Sequence, residues 1–360
     1  MCDKLSQKGY KMCVIKELNR KEIEQILDGF GIEAFENSEM IDSSHGNRDI
    51  RHNYIIDKKY VLRINSAQVM TEERVVELNT LVKKYNDFGI KAPYFIPDKF
   101  GKYVMEYKKC YCYLSEYLDF PLAIDSESMF KRELYNERIV FICRFAEKFK
   151  DDELSDTLSM YSLFELAPYD QPKGIDEKQE NFNNLIEDLK VAGELELVNR
   201  LTMAYETIRA ELMSIYKTLP RCVFQGDENL SNLCIDENKH IVGLFDFNMA
   251  GTEVIVNYLA NIAFQGDFDF SEELLEDCSA EEIFDRMMFA YIDSTKNIQK
   301  YYQFSREEKR AYELYSCVVL ISGYMNQWAY SEFLKSEKYK VKMVELLWLV
   351  EGELKKYYQK

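Results

Sequence analysis

The sequence predicts an α+β protein of two lobes, a small antiparallel sheet carrying one main helix followed by a larger, mostly helical lobe. Three observations carry this reading. At 360 residues the chain exceeds the roughly 250 to 300 residues at which single cores stop growing. Residues 53–117 hold short β-rich runs, whereas from residue 120 onward the apolar residues fall mostly at helical spacing. The third observation is a β-rich island between residues 222 and 245, inside that helical stretch. The division expected is residues 1–114 for the first lobe, 115–120 for a connecting hinge and 121–360 for the second lobe, with residues 224–250 as its special loop.

The elements follow in order. Apolar spacing predicts a helix over residues 17–28, then strands at 53–57 and 60–65 joined by the turn Asp57-Lys-Lys-Tyr60. A helix over 71–88 is stopped by Gly89 ahead of Pro93. Strands at 102–107 and 110–117 turn at Lys108-Lys-Cys110. In the second lobe helices are expected at 127–150, 179–189, 195–218, 280–295, 306–330 and 339–358, with the island's strands at 222–224, 233–235 and 242–245. Residues 151–178, with Pro168, Pro172 and Gly174, read as the longest connection.

Composition narrows the function. An apolar fraction of 47% with only 6 Pro and 14 Gly can bury a large core, which excludes wholesale disorder. Lys+Arg 46 against Asp+Glu 63 leaves a net charge of −17, which repels nucleic acid and anionic lipid and suits cationic or neutral partners. The longest apolar runs, such as 343–350, fall far short of the ~20 residues of a membrane span. No export or membrane signal is visible, and nine scattered cysteines predict reduced thiols in a cytoplasmic protein. Cys110 and Cys112 share one strand face and read as strand packing rather than a metal site. Of the histidines His45, His52 and His240, none has a partner that suggests a metal site or a catalytic triad.

The island carries chemistry. Between Phe224 and Asp236, Asp227 and Asn232 stand five apart on a loop, and Asp246 follows one strand hairpin later. Phosphoryl transfer needs this inventory: a carboxylate to orient an attacking hydroxyl, and oxygen ligands from a second carboxylate and an amide for Mg²⁺. Turn capping would account for Asp227 and Asp246 singly, but not for the joint spacing. The arrangement resembles the catalytic loop and metal-binding motif of the aminoglycoside phosphotransferase and choline kinase superfamily, whose members have the protein-kinase fold. In that motif His-Gly-Asp is followed by four residues, an Asn, a strand hairpin and an Asp. Here Gln225 replaces the His, Asp246-Phe-Asn248 replaces Asp-Phe-Gly, and Asn257-Tyr-Leu-Ala260 stands where Asp-Leu-Ala is frequent.

The resemblance implies roles in the first lobe. Ser43-Ser-His-Gly-Asn47 is similar to an abbreviated phosphate loop, which assigns Ser44, Gly46 and Asn47 to nucleotide phosphates. Arg63, the one cation in the apolar run 60–65, stands where protein kinases place the phosphate-binding Lys. Its carboxylate partner would come from the next helix, as Glu77 or, one turn earlier on the same face, Glu73. Adenine would meet the backbone near Glu116 and Leu118. The resemblance thus implies an ATP-dependent (or other nucleoside triphosphate-dependent) kinase that uses Mg²⁺ and phosphorylates a hydroxyl of a small molecule, aminoglycoside-, choline- or homoserine-like. The alternative is a catalytically silent nucleotide-binding module of the same fold, for which Gln225 and Asn257 speak.

Two features bear on the acceptor. The acidic run Asp267, Asp269, Glu272, Glu273, Glu276, Asp277, Glu281, Glu282 and Asp285 reads first as a solvated face and second as an attractor for a cationic acceptor. Tyr312, Tyr315, Tyr324, Trp328 and Tyr330 fall at helical spacing and read first as core, second as an aromatic cage.

Overall fold

The computed structural model describes residues 17–44, 50–66, 70–155, 157–167, 170, 173–265 and 268–358. Its strands are β1 (Ser38–Asp42), β2 (Arg51–Ile56), β3 (Tyr60–Asn65), β4 (Phe95–Ile96), β5 (Val104–Tyr107), β6 (Cys110–Glu116), β7 (Arg221–Phe224), β8 (Leu233–Ile235), β9 (Ile241–Leu244) and β10 (Gly251–Val254). Its helices are α1 (Arg20–Gly29), α2 (Glu72–Phe88), α3 (Glu127–Lys148), α4 (Glu177–Ala192), α5 (Leu195–Ile215), α6 (Ile255–Phe264), α7 (Glu272–Asp277), α8 (Ala280–Tyr301), α9 (Arg306–Ser322), α10 (Tyr324–Leu334) and α11 (Lys340–Tyr358). The chain divides into two compact units, Met1–Ala123 with Ser231–Asn248 and Ile124–Leu230 with Met249–Lys360. Residues 224–250, read from sequence as one loop of the second lobe, are therefore shared between the units, and the β8–β9 hairpin goes with the first.

In the first unit, β1 to β6 form one antiparallel sheet in the order β1-β2-β3-β6-β4, with β5 also paired to β6. Period-2 alternation sets its faces. Tyr54, Ile56, Leu62, Ile64, Cys110, Cys112 and Leu114 pack with Ile23, Ile26 and Leu27 of α1 in one apolar cluster, where each fully buried side chain contributes about 1.5–3 kcal/mol. Arg63, Tyr113 and Ser115 alternate with these residues and so take the opposite face. Both hairpin turns use left-handed residues without glycine, Asp57 and Lys58 (φ 50° and 51°) and Lys108 and Lys109 (φ 47° and 66°). That hand matches the twist of paired strands. Asp57 is further held by the N–H groups of Glu36 and Asn37, which donate to its carboxylate. The β9 strand is tied to the same unit by Lys91, whose N–H donates to Val242 O and whose carbonyl accepts from Leu244 N, both at 2.8 Å.

In the second unit β7 pairs antiparallel with β10. The helix α6 is buried from Ile255 through Ala263 and packs against α8 and α9. The single helix predicted over 306–330 is two helices, α9 and α10, because the backbone at Gly323 is extended (φ −59°, ψ 140°). The acidic run has a helical explanation: Glu272 and Glu273 occupy the first turn of α7, and Glu281 and Glu282 the first turn of α8. Carboxylates there are favoured by the helix dipole.

Candidate active site

The first unit holds the candidate nucleotide and metal residues. Arg63 lines a small cavity with Met70, Tyr113, Ser115, Asp246 and Asn248. Its guanidinium donates to the Ser115 hydroxyl at 2.7 Å. The side chain at hydrogen-bond distance from Arg63 is thus Ser115, which no sequence signal singled out. The reason is register, since Arg63 lies opposite Tyr113 in the β3–β6 ladder and Ser115 is the next residue on that face. Burial pushes the Tyr113 phenol up to about 12. On α2, Glu77 is half-buried and Glu73 exposed. Glu72, which no sequence signal singled out, accepts from Tyr103 N and Val104 N at 2.9 Å and anchors the start of β5.

Ser44 lies where β1 turns toward β2, its N–H donating to Asp42 and its hydroxyl accepting from Arg51 N, both at 2.9 Å. Gly46 and Asn47 lie outside the described residues. Glu116 ends β6, and its N–H is taken by Tyr94 O at 3.0 Å while its carboxylate accepts from Tyr94 N at 3.1 Å. The Glu116 amide is thus engaged by the chain itself, because the segment leading into β4 covers that edge. Leu118 lies beyond the strand and half-buried.

Asn232 and Asp246 flank the open end of the β8–β9 hairpin, where Phe245 N donates to Asn232 O at 3.1 Å. Asp246 has φ 64°, a left-handed conformation costing a non-glycine residue about 1–2 kcal/mol. The following residues lock it: Phe247 packs edge-on against Tyr85 of α2 (5.7 Å, 65°), and Asn248 O accepts from Arg74 of α2 at 3.0 Å. Among the described residues no group of three His, Cys, Asp or Glu side chains could hold a metal ion by itself. One carboxylate and one amide nevertheless fit Mg²⁺, a hard cation that keeps water and substrate phosphates among its ligands.

The second unit carries Asp227. Phe224 ends β7, and the chain turns at Gly226, whose φ is 91° and whose missing Cβ would sit 2.3 Å from Met249 O. Only glycine fits there. Gln225 is fully buried, and its side-chain oxygen accepts from Asp227 N at 2.7 Å. The residue standing in for histidine thus holds the loop. Asn229 donates to Asp227 Oδ1 at 2.7 Å. Asn257 is also a packing residue, buried and donating to Tyr161 O at 2.8 Å.

Asp227 lines a cavity of about 660 Å³ together with Tyr161, Glu177, Asp269, Tyr324 and Trp328. The predicted aromatic group therefore splits. Tyr312, Tyr315 and Tyr330 are core, whereas Tyr324 and Trp328 are exposed at this cavity. Asp269 is paired with Lys131, and Glu276 with Lys338 and Tyr339, so the acidic run is partly neutralised. Sequence reasoning passed over Glu228, a buried carboxylate that accepts the Tyr258 O–H. Burial pushes its pKa to about 6, against the pull of Tyr258 and Arg138. Flanked by Asp227 and Asn229 in sequence, Glu228 carried no apolar pattern that would mark it as buried.

No family model and no curated protein matches the sequence. Solved structures do match. The microcompartment-associated aminopropanol kinase is 10% identical at a TM-score of 0.51, covering 95% of this chain and 98% of that one. An amicoumacin kinase in complex with AMP-PNP, Ca²⁺ and Ami is 12% identical at a TM-score of 0.50, covering 93% and 96%. An ADP-bound aminoglycoside phosphotransferase is 15% identical at a TM-score of 0.45, covering 94% and 99%. The chain shares the two-lobed α+β fold of the aminopropanol kinase and the amicoumacin kinase.

Proposed function

We propose that this chain is an ATP-dependent kinase that moves a γ-phosphoryl group to a hydroxyl of a small molecule. The observation that carries the reading is the cavity of the first unit, where a strand cation, Arg63, and a carboxylate in a locked left-handed conformation, Asp246, line the same space. Residues held at a conformational cost point to a task beyond folding. Arg63 would take nucleotide phosphates, with Ser115 steering its guanidinium. The loop of Ser44, Gly46 and Asn47 would cover the phosphates, Glu77 would support Arg63 from α2, and the backbone around Glu116 and Leu118 would face the adenine. Asn232 and Asp246 would hold Mg²⁺, which when bound neutralises phosphate charge.

Asp227 serves the acceptor. Its carboxylate, steadied by Asn229 and by Gln225 through the backbone, orients the acceptor hydroxyl and takes up its proton as the oxygen attacks. Acidic and aromatic side chains around Asp227 suit a hydroxylated amine. The silent-module alternative rested on Gln225 and Asn257, and both have packing roles that leave Asp227 in place. ADP release measured with Mg·ATP across sugars, aminoglycosides, choline-like alcohols and amino-acid alcohols tests the reading. Acceptor-dependent release from at least one class is expected, and release at the solvent background for every class would refute it.

A further inference from the structure

We propose that Tyr258 and Arg138 are positioning residues that fix the place of Asp227 by gripping its neighbour Glu228. This rests on the reading of Asp227 given above. Both functional ends of Glu228 are held: its carboxylate accepts the Tyr258 O–H, and its backbone carbonyl accepts from Arg138 Nη1 at 3.1 Å. Arg138 is anchored in turn, donating to Gln265 O at 3.0 Å and to Gln265 Oε1 at 3.4 Å, with its guanidinium 4.6 Å from the centroid of the Tyr135 ring. The Tyr258 ring stacks on Phe224 with centroids 3.9 Å apart and planes 2° from parallel. One tyrosine therefore touches the chain on both sides of the Gly226–Asp227 turn, through Phe224 before it and Glu228 after it.

Stability does not explain this arrangement. Tyr258, Glu228 and Arg138 are at most 2% exposed, and taking a carboxylate and a guanidinium out of water is seldom repaid relative to apolar side chains of the same volume. A leucine, a phenylalanine and a methionine would fill the same space. What the polar set adds is direction, since a hydrogen bond fixes a loop where an apolar contact lets it slide. Positioning matters at this point in the chain, because a displacement near 1 Å of a reacting group can cost about 10²-fold in rate.

The test uses the full chain with Mg·ATP and the acceptor found by the ADP-release screen. Tyr258→Phe keeps the ring stack and removes the hydroxyl, and Glu228→Leu removes the carboxylate. Each is expected to lower kcat by roughly 10- to 100-fold with KM for nucleotide and acceptor unchanged. The double variant should be no worse than either single one, because both break the same contact. Glu228→Gln retains an accepting oxygen and should restore turnover. Amide hydrogen exchange at residues 225–229 gives a readout independent of activity, expected faster in Tyr258→Phe and Glu228→Leu and restored in Glu228→Gln. Wild-type kcat and exchange in Tyr258→Phe and Glu228→Leu, alongside an impaired Asp227→Asn, would overturn the grip and leave the kinase reading standing. If Asp227→Asn itself turns over normally, the reading of Asp227 fails, and the positioning role of Tyr258 and Arg138 fails with it.

Discussion

At the scale of single residues, Asp246 is where conformation and chemistry separate most cleanly. Its φ of 64° is tolerated by Asn and welcomed by Gly. Asp246→Asn should therefore fold normally yet lose Mg²⁺-dependent nucleotide binding, because the carboxylate proposed as a hard anionic ligand is gone. Asp246→Gly should lose the same binding while gaining thermal stability, which melting curves beside calorimetry would resolve. Arg63→Met should raise the nucleotide KM and reduce turnover, with a smaller effect from Ser115→Ala, which only steers the guanidinium. Glu77→Gln should do less again, and harm from Glu73→Gln with a silent Glu77→Gln would shift the supporting role one turn along α2. Asp227, Asn232 and Asp246 could be put forward from sequence because they sit on one short stretch of chain. Ser115 could not, since its meeting with Arg63 depends on pairing between strands 52 residues apart.

Among the elements, those with a clear period were readable and those without one were not. The amphipathic α2, with a capping Thr71 at its start and Gly89 at its end, lay open to inspection. The α6 helix did not, because a helix buried on every side has no polar stripe to mark its turn. The mostly exposed edge strand β1 and the four-residue β10 carry too little alternation to announce a strand. Glycine chemistry at element ends supplies a test. Gly193, the left-handed cap of α4 (φ 87°), has open space where a Cβ would go, whereas Gly226 (φ 91°) would meet Met249 O at 2.3 Å. Gly193→Ala should cost only about 1–2 kcal/mol of conformational strain, and Gly226→Ala clearly more. Urea midpoints of the two variants should rank in that order, and equal midpoints would mean the Gly226 turn is not as tight as described.

For the molecule as a whole, charge and burial set the response to pH. Burial pushes Glu228 to about 6 and Glu253 to about 7, both above the ordinary carboxylate value of 4.5. A native state that keeps these protons longer than the unfolded chain loses stability as pH rises through that window. The unfolding temperature should fall between pH 5 and pH 8, and Glu253→Gln, whose partners Ser162 and Val254 N can bond an amide, should flatten the fall. A slope unchanged by Glu253→Gln would assign the effect to the net charge of −17 instead. Among the described residues no helix is long and apolar enough to cross a membrane. Residues 231–248 belong with the first unit, an affiliation the sequence did not suggest because Lys91 holds β9 through backbone bonds that no side-chain pattern encodes.

The central claim is that Asp227 performs chemistry on an acceptor hydroxyl rather than serving a binding module. Single-turnover phosphoryl transfer from Mg·ATP to the identified acceptor, by wild type and Asp227→Asn, tests it most directly when nucleotide affinity is titrated on the same samples. The expected result is a loss in rate on the order of 10²–10⁴ with nucleotide affinity unchanged, since this carboxylate is proposed to serve the acceptor and not the nucleotide. A wild-type chain that binds Mg·ATP but transfers phosphate to no hydroxyl compound, with Asp227→Asn indistinguishable from it, would contradict the account.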